Sequence, residues 1–167
     1  YLNSAQQIFV DTFSAGMKFP LYFAIISILA APASFINAAL VMKYGMRLLA
    51  TIGFALQIIF ALGILVILNT SIFSDQLFLI IFVIWSTIAF FLKGLYFGNL
   101  NALAMEPMGE IAGMAAAIIG ASATMIGILI AVFIGLAFDG TATPVLLGYI
   151  ICSAIALLLM VSQKKSK

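Results

Sequence analysis

The sequence predicts an all-α membrane protein, a polytopic bundle of about five transmembrane helices. Of its 167 residues, 66% are hydrophobic and only 7% are charged, whereas soluble domains average roughly half and a quarter. The apolar residues also occur in long blocks, and a helix needs about 20 of them to cross the roughly 30 Å hydrocarbon layer at 1.5 Å per residue. A soluble domain of this length could not bury so much apolar surface.

Short polar turns separate the apolar blocks. Pro20 fits the first turn of the first span, where the missing N–H costs little, and Pro32 predicts a kink inside that span. Pro107 and Gly109 end the third span. Residues 1–18 are too polar and too short to span, and we expect them to form the end of a preceding helix and an outer loop. The predicted spans are residues 19–42, 48–68, 77–105, 111–138 and 144–162.

The basic residues predict the orientation, because Lys and Arg near span ends are retained in the cytoplasm. With five spans, the turn after the first span and the C-terminal tail fall on the same side. The opposite side holds Lys18 and three carboxylates, at Asp11, Asp75 and Asp139. We therefore expect a cytoplasmic C-terminus. The five basic residues of the cytoplasmic side are Lys43, Arg47, Lys164, Lys165 and Lys167.

Composition argues against several function classes. The chain has no histidine and a single cysteine, Cys152, so an internal disulfide or a Cys/His metal cluster is not expected. Histidine is also the commonest general base. There is no basic stripe of the kind that binds nucleic acid. We expect no enzyme activity, no cofactor, no metal and no nucleic-acid partner.

Two motifs carry a family resemblance. Lys43-Tyr44-Gly45-Met46-Arg47 follows the first span and resembles the cytoplasmic loop motif of the major facilitator superfamily, Gly-x-Leu-x-Asp-Arg-x-Gly-Arg-Arg. Leu40, Lys43, Gly45 and Arg47 fit that pattern, whereas Ala38 and Met42 stand where its Gly and Asp would be. Residues 98–117 contain a Pro-x-Gly turn at 107–109 and Ala-Gly-x-Ala-Ala at 112–116. They resemble the tenth-to-eleventh helix junction of drug/proton antiporters, most closely the Bcr/CflA-type multidrug efflux branch.

The resemblance implies the C-terminal half of a transporter, with the five spans as helices eight to twelve. It implies a multi-pass protein of the bacterial inner membrane that exports drugs or other amphipathic small molecules in exchange for protons. The partners would be the substrate, protons, the lipid bilayer and a missing N-terminal half. Every carboxylate of the chain lies at a span end, so we expect the proton-coupling group in that missing half.

Lys93 is the leading candidate for the substrate pathway, because a charge inside the hydrocarbon layer is costly unless it faces water or a partner. The alternative is that its side chain snorkels to the surface. Trp85, Phe90 and Phe97 are candidate cavity walls, since aromatic rings accept varied apolar ligands. Asn37, Asn99 and Asn101 could bridge helices or touch substrate.

Small residues indicate close helix packing. Gly113, Gly120 and Gly127 recur every seven residues and predict a smooth face against which a neighbouring helix packs. Gly94 and Gly98 form a Gly-x-x-x-Gly pair with the same interpretation, or else a helix bend.

Two alternatives to drug efflux remain open from the sequence. One is a metabolite symporter of the same superfamily. The other is a small membrane scaffold protein that does not transport.

Overall fold

A computed structural model describes residues 2–68 and 74–164, and every regular element within those ranges is a helix. The predicted all-α fold is confirmed. The helices begin and end within two residues of the predicted span bounds. The α-helices are α1 Leu2–Gln7, α2 Phe19–Ala30, α3 Ala33–Tyr44, α4 Met46–Leu68, α5 Asp75–Met105, α6 Ala112–Leu136 and α7 Thr143–Lys164.

Four stretches of the described chain are long and apolar enough to cross a membrane, judged by length and composition. They are Gly16–Tyr44, Met46–Leu68, Asp75–Leu136 and Thr143–Ser162. The third is 62 residues long, enough for two crossings of about 20 residues each and the segment that joins them. It contains both α5 and α6, joined by a 3₁₀ segment at Glu106–Ile111 in which Gly109 takes the non-helical angles φ 50° and ψ −125°.

The two ends of the bundle are defined by the turns that meet there. At one end, which we call the basic end, Arg47 shares a cleft with Leu103 near the end of α5, Glu106 directly after it and Met160 near the end of α7. At the other, the acidic end, the Thr12 hydroxyl donates a 2.9 Å hydrogen bond to the Gly140 carbonyl. The chain therefore passes between the ends five times, with α2 and α3 together making the first pass.

The C-terminal end of α7 thus lies at the same end as Lys43 and Arg47, as the basic-residue pattern predicts. Lys165 and Lys167 of that prediction lie outside the described residues. At the acidic end, the Asp139 carboxylate accepts hydrogen bonds from the backbone N–H and the hydroxyl of Thr141, at 3.0 and 2.6 Å. These bonds hold the pKa of Asp139 below its usual value and fix the turn that leads into α7.

Pro32 interrupts the first pass, as expected: α2 ends at Ala30 and α3 begins at Ala33. Gly45 ends α3 with a φ of 78°, a backbone conformation that side-chain-bearing residues adopt rarely. The reversal between α3 and α4 therefore depends on a glycine at that position, within the loop motif.

The core has two layers along α4, which packs against both α5 and α7. The layer toward the acidic end surrounds Phe9, Phe82 and Trp85, so residues before the first span contribute directly to the bundle. The layer toward the basic end surrounds Phe54 and Tyr96, whose ring centroids are 4.5 Å apart.

Two contacts join α3 to α5. A methyl group added at Gly94 would lie 2.6 Å from the Ala33 Cβ, so the helices meet where only hydrogen fits. Asn37 and Asn99 exchange hydrogen bonds of 3.2 and 2.8 Å through their side-chain amides, and Asn99 also donates to the Leu95 carbonyl at 2.7 Å. Asn37 and Asn99 therefore bridge helices. Within the described residues, Asn101 donates a hydrogen bond to the Phe97 carbonyl of its own helix and to no other helix.

The predicted packing of the Gly113, Gly120 and Gly127 face is wrong for contacts within the described chain. A methyl group added at any of the three would meet no atom within 4 Å, and α6 has no buried residue. The period of seven defines a smooth helix face, but it does not specify what covers that face. Gly120→Leu therefore has no helix of this chain to displace, contrary to the expectation from the repeat.

We predict that Gly94→Ala lowers the thermal stability of the chain in detergent, since the new methyl group forces α3 away from α5. Overpacking of this kind costs about 1–3 kcal/mol. Gly98→Ala is the matched control: space around Gly98 is open, and alanine is the better helix former. Equal melting temperatures for the two variants would contradict the close contact.

We also predict coupling between Asn37 and Asn99. In a double-mutant cycle with Asn37→Ala and Asn99→Ala, the interaction free energy should be about 0.6 kcal/mol and at most about 1.7 kcal/mol, the range found for polar contacts between membrane helices. A cycle pairing Asn37→Ala with Asn101→Ala should show additivity. Additive effects in both cycles would mean that the amide bridge does not form.

Candidate functional site

Lys93 lies deep along α5. Twelve residues of helix, about 18 Å, separate it from Met105, and 18 residues, about 27 Å, separate it from Asp75. The nearer surface is therefore at the basic end. A snorkelling lysine would extend its ammonium in that direction.

The Lys93 ammonium extends the other way. Its Nζ lies 5.0 Å from the centroid of the Phe90 ring, one turn back along α5, and 5.1 Å from the centroid of the Tyr149 ring on α7. Side chains on a helix tilt toward its N-terminus, which explains the direction. Both distances are within the roughly 6 Å over which a cation is attracted to an aromatic face. The geometry opposes snorkelling to the nearer surface.

A cavity of about 250 Å³ opens beside this ammonium. It lies among α4, α5, α6 and α7, between the two core layers: Phe54 and Tyr96 come from one layer and Val145 from the other. Gly127 and Gly148 contribute surface without side chains. The polar or ionisable residues of its wall are Lys93, Tyr96, Tyr149, Cys152 and Ser153.

The described wall of the cavity carries a positive charge and no negative charge. The five carboxylates of the chain are at Asp11, Asp75, Glu106, Glu110 and Asp139, and none of them lines the cavity. The cavity therefore carries one cation, held by aromatic faces, without an opposing carboxylate from the described wall.

The structure brings together some of the predicted site residues and not others. Phe90 lies beside the Lys93 ammonium and also meets Phe23 of α2 edge-on, at 5.9 Å between centroids. Trp85 is 1% exposed and belongs to the core; its ring contacts Tyr149 at 5.2 Å between centroids. Phe97 is 67% exposed and does not line this cavity; it lies four residues from Lys93 and on a different side of the helix from Tyr96, and its assignment to a cavity wall stays a prediction.

The predicted loop motif occupies the turn at the basic end. Lys43 closes α3, with its Nζ 5.3 Å from the centroid of the Tyr44 ring, and Arg47 opens α4 beside Glu106 in the cleft described above. Gly45 provides the turn itself.

Sequence reasoning missed the contribution of α7. Tyr149 and Ser153 are spaced four residues apart, one helical turn, and both line the cavity. Their spacing inside an apolar span was a usable signal, because hydroxyl-bearing residues there need a polar neighbour. Sequence reasoning also missed Gln57, which is fully buried on the same face of α4 as Phe54. The amide atoms of Gln57 have no hydrogen-bond partner within the described chain.

Comparison with known proteins adds no relative. No protein family, no curated protein and no solved structure matches this chain. The likeness to drug/proton antiporters therefore stays a prediction from residue patterns.

Proposed function

We propose that this chain is part of a secondary active transporter and that the cavity at Lys93 belongs to its substrate pathway. The observation that carries the proposal is the place of the lysine: it lines a cavity between the helices, with its ammonium beside two aromatic rings and no carboxylate among the described wall residues.

The cost of a lysine inside the hydrocarbon layer supports this assignment. Insertion scales give about 2.5–3.5 kcal/mol for a lysine at the centre of a membrane helix. Contacts with two aromatic faces, at about 0.5–2 kcal/mol each, offset much of that cost but leave little net gain for stability. A leucine would pack there without a desolvation cost. The charge is therefore better explained by a role in binding a ligand than by a contribution to the stability of the fold.

In its finer form, the proposal assigns the chain to the C-terminal half of a major-facilitator transporter that exports drugs or other amphipathic molecules in exchange for protons. Transporters of that fold rock two halves about a site near the midplane. The uncovered face of α6 and the location of all five carboxylates fit a protein whose other half supplies the opposite wall and the proton-binding group. The bacterial inner membrane and a cytoplasmic C-terminus belong to the same proposal.

The alternatives make different demands on the cavity. A metabolite symporter would use the same lysine for a specific solute. In that case, the proposed specificity for drugs would be wrong, whereas the assignment of the cavity to a substrate pathway would hold. A scaffold that does not transport would have no use for a charged cavity.

The test of transport is the variant Lys93→Ala in the full-length protein that the resemblance implies. We expect it to reduce efflux of at least one substrate while membrane insertion stays intact, because it removes the cavity charge together with its contacts to the Phe90 ring of the same helix and the Tyr149 ring of α7. Lys93→Arg should retain more activity if charge alone matters. Resistance of cells expressing each variant at matched levels gives the measurement.

Lys18→Ala serves as the control, since Lys18 lies at the acidic end near Phe13 and Gln76, just before α2 and away from the cavity. Wild-type resistance to every compound in the Lys93→Ala strain would remove the cavity from the substrate pathway.

The proposed orientation has its own test. In a Cys152→Ser background, Met17→Cys lies at the acidic end and Glu110→Cys in the segment after α5 at the basic end, and both positions are exposed. We expect a membrane-impermeant maleimide to label the first cysteine in intact spheroplasts and the second only after permeabilisation. The reverse pattern would invert the topology.

A further inference from the structure

From the chemistry of its wall, we infer that the Lys93 cavity binds a small organic anion: a carboxylate, or a similar acid group, attached to a compact apolar or aromatic body. This inference rests on the proposed function, in that it names the class of solute the pathway would take. It departs from the broad drug specificity that the sequence resemblance implies.

The charge of the cavity selects the sign of the ligand. Lys93 is the charged residue of the cavity wall, and interactions between charges are far stronger in a low-dielectric interior than in water. A cationic ligand would meet repulsion and find no carboxylate among the described wall residues. An anionic ligand would gain a charge-assisted hydrogen bond from the ammonium.

The aromatic contacts of Lys93 do not replace such a partner. Rings at 5.0 and 5.1 Å attract the ammonium through their faces but accept no conventional hydrogen bond from it. Its three N–H donors need acceptors to be fully satisfied, and a carboxylate offers two oxygens. The rings hold the ammonium in place without using its donors.

Other groups of the wall suit the rest of such a ligand. Ser153 lines the cavity one helical turn from Tyr149 and is 5% exposed, so its hydroxyl can donate to a second oxygen. The Phe54 and Tyr96 rings provide an apolar surface for the body of the molecule.

The part of the cavity that this chain forms is small. Its volume of about 250 Å³ is below the roughly 300–1,000 Å³ of pockets that enclose drug-sized molecules. A single-ring acid is therefore a better match than a multi-ring drug.

The chain carries a reporter for this cavity. Trp85 is its only tryptophan, and its ring contacts Tyr149 of the cavity wall. Nitroaromatic compounds quench tryptophan fluorescence, so three probes of nearly the same shape can be compared: 4-nitrobenzoate, the neutral 4-nitrobenzamide and the cationic 4-nitrobenzylammonium. The chain is studied in nanodiscs of zwitterionic lipid, with correction for probe absorbance.

We expect saturable quenching by 4-nitrobenzoate with a Kd at least about tenfold lower than for the amide, the equivalent of one charge-assisted hydrogen bond, and weaker quenching still by the ammonium compound. Lys93→Gln should abolish the preference for the anion, and Lys93→Arg should keep most of it. Lys18→Gln, which removes a positive charge at the acidic end that does not line the cavity, should leave all three affinities unchanged.

Equal affinities for the three probes, a preference for the ammonium compound, or no saturable quenching by any of them would overturn the inference. The comparison among probes uses the wild-type chain, so it does not depend on whether the Lys93 variants fold. Anion-selective binding combined with no transport by the full-length protein would refute the proposed function and leave the ligand class standing. Lys93-dependent transport of a cationic solute would refute the ligand class alone.

Discussion

The structure depends first on the absence of water from the hydrocarbon layer. A backbone N–H or C=O left unpaired there costs several kcal/mol, so each crossing segment must satisfy its own polar groups, and the α-helix does this within one segment. Two of the breaks between α-helices lie where this constraint is weaker. The Gly45 turn and the Glu106–Ile111 segment lie at the basic end of the bundle, where water can serve the backbone.

Within that constraint, apolar area does little to hold one helix against another, because lipid is as apolar as a leucine side chain. The described contacts show what takes its place. Gly94 lets α5 approach Ala33, and a methyl group at Gly53 would lie 2.7 Å from the Tyr96 ring. The amides of Asn37 and Asn99 satisfy each other where lipid offers them nothing. Close backbone approach and paired polar groups thus position the helices around the cavity.

These contacts explain which features the sequence could predict. Hydropathy and the positions of Pro32 and Pro107 determine where a helix crosses and ends, so the span bounds follow from local pattern alone. The side chain opposite Lys93 depends on how α5 and α7 lie beside each other, which no local pattern records, and Tyr149 was therefore missed. The glycine repeat of α6 failed as a guide to contacts for the same reason: it describes one surface and not its neighbour. Phe97 lies four residues from Lys93 but does not line the same cavity, because residues four apart need not share a neighbour on a helix that contacts several others.

The contact between Lys93 and Tyr149 has a mechanical consequence. α5 and α7 run in the same direction along α4, and the ammonium reaches from one to the other. A slide of α7 by one helical pitch, about 5.4 Å, would carry the tyrosine ring beyond the range of the attraction and leave one side of the ammonium to water or to a bound acid. The strength of the contact between the ammonium and the Tyr149 ring therefore depends on the axial positions of α5 and α7. A group that neutralises the ammonium changes the energy of that slide.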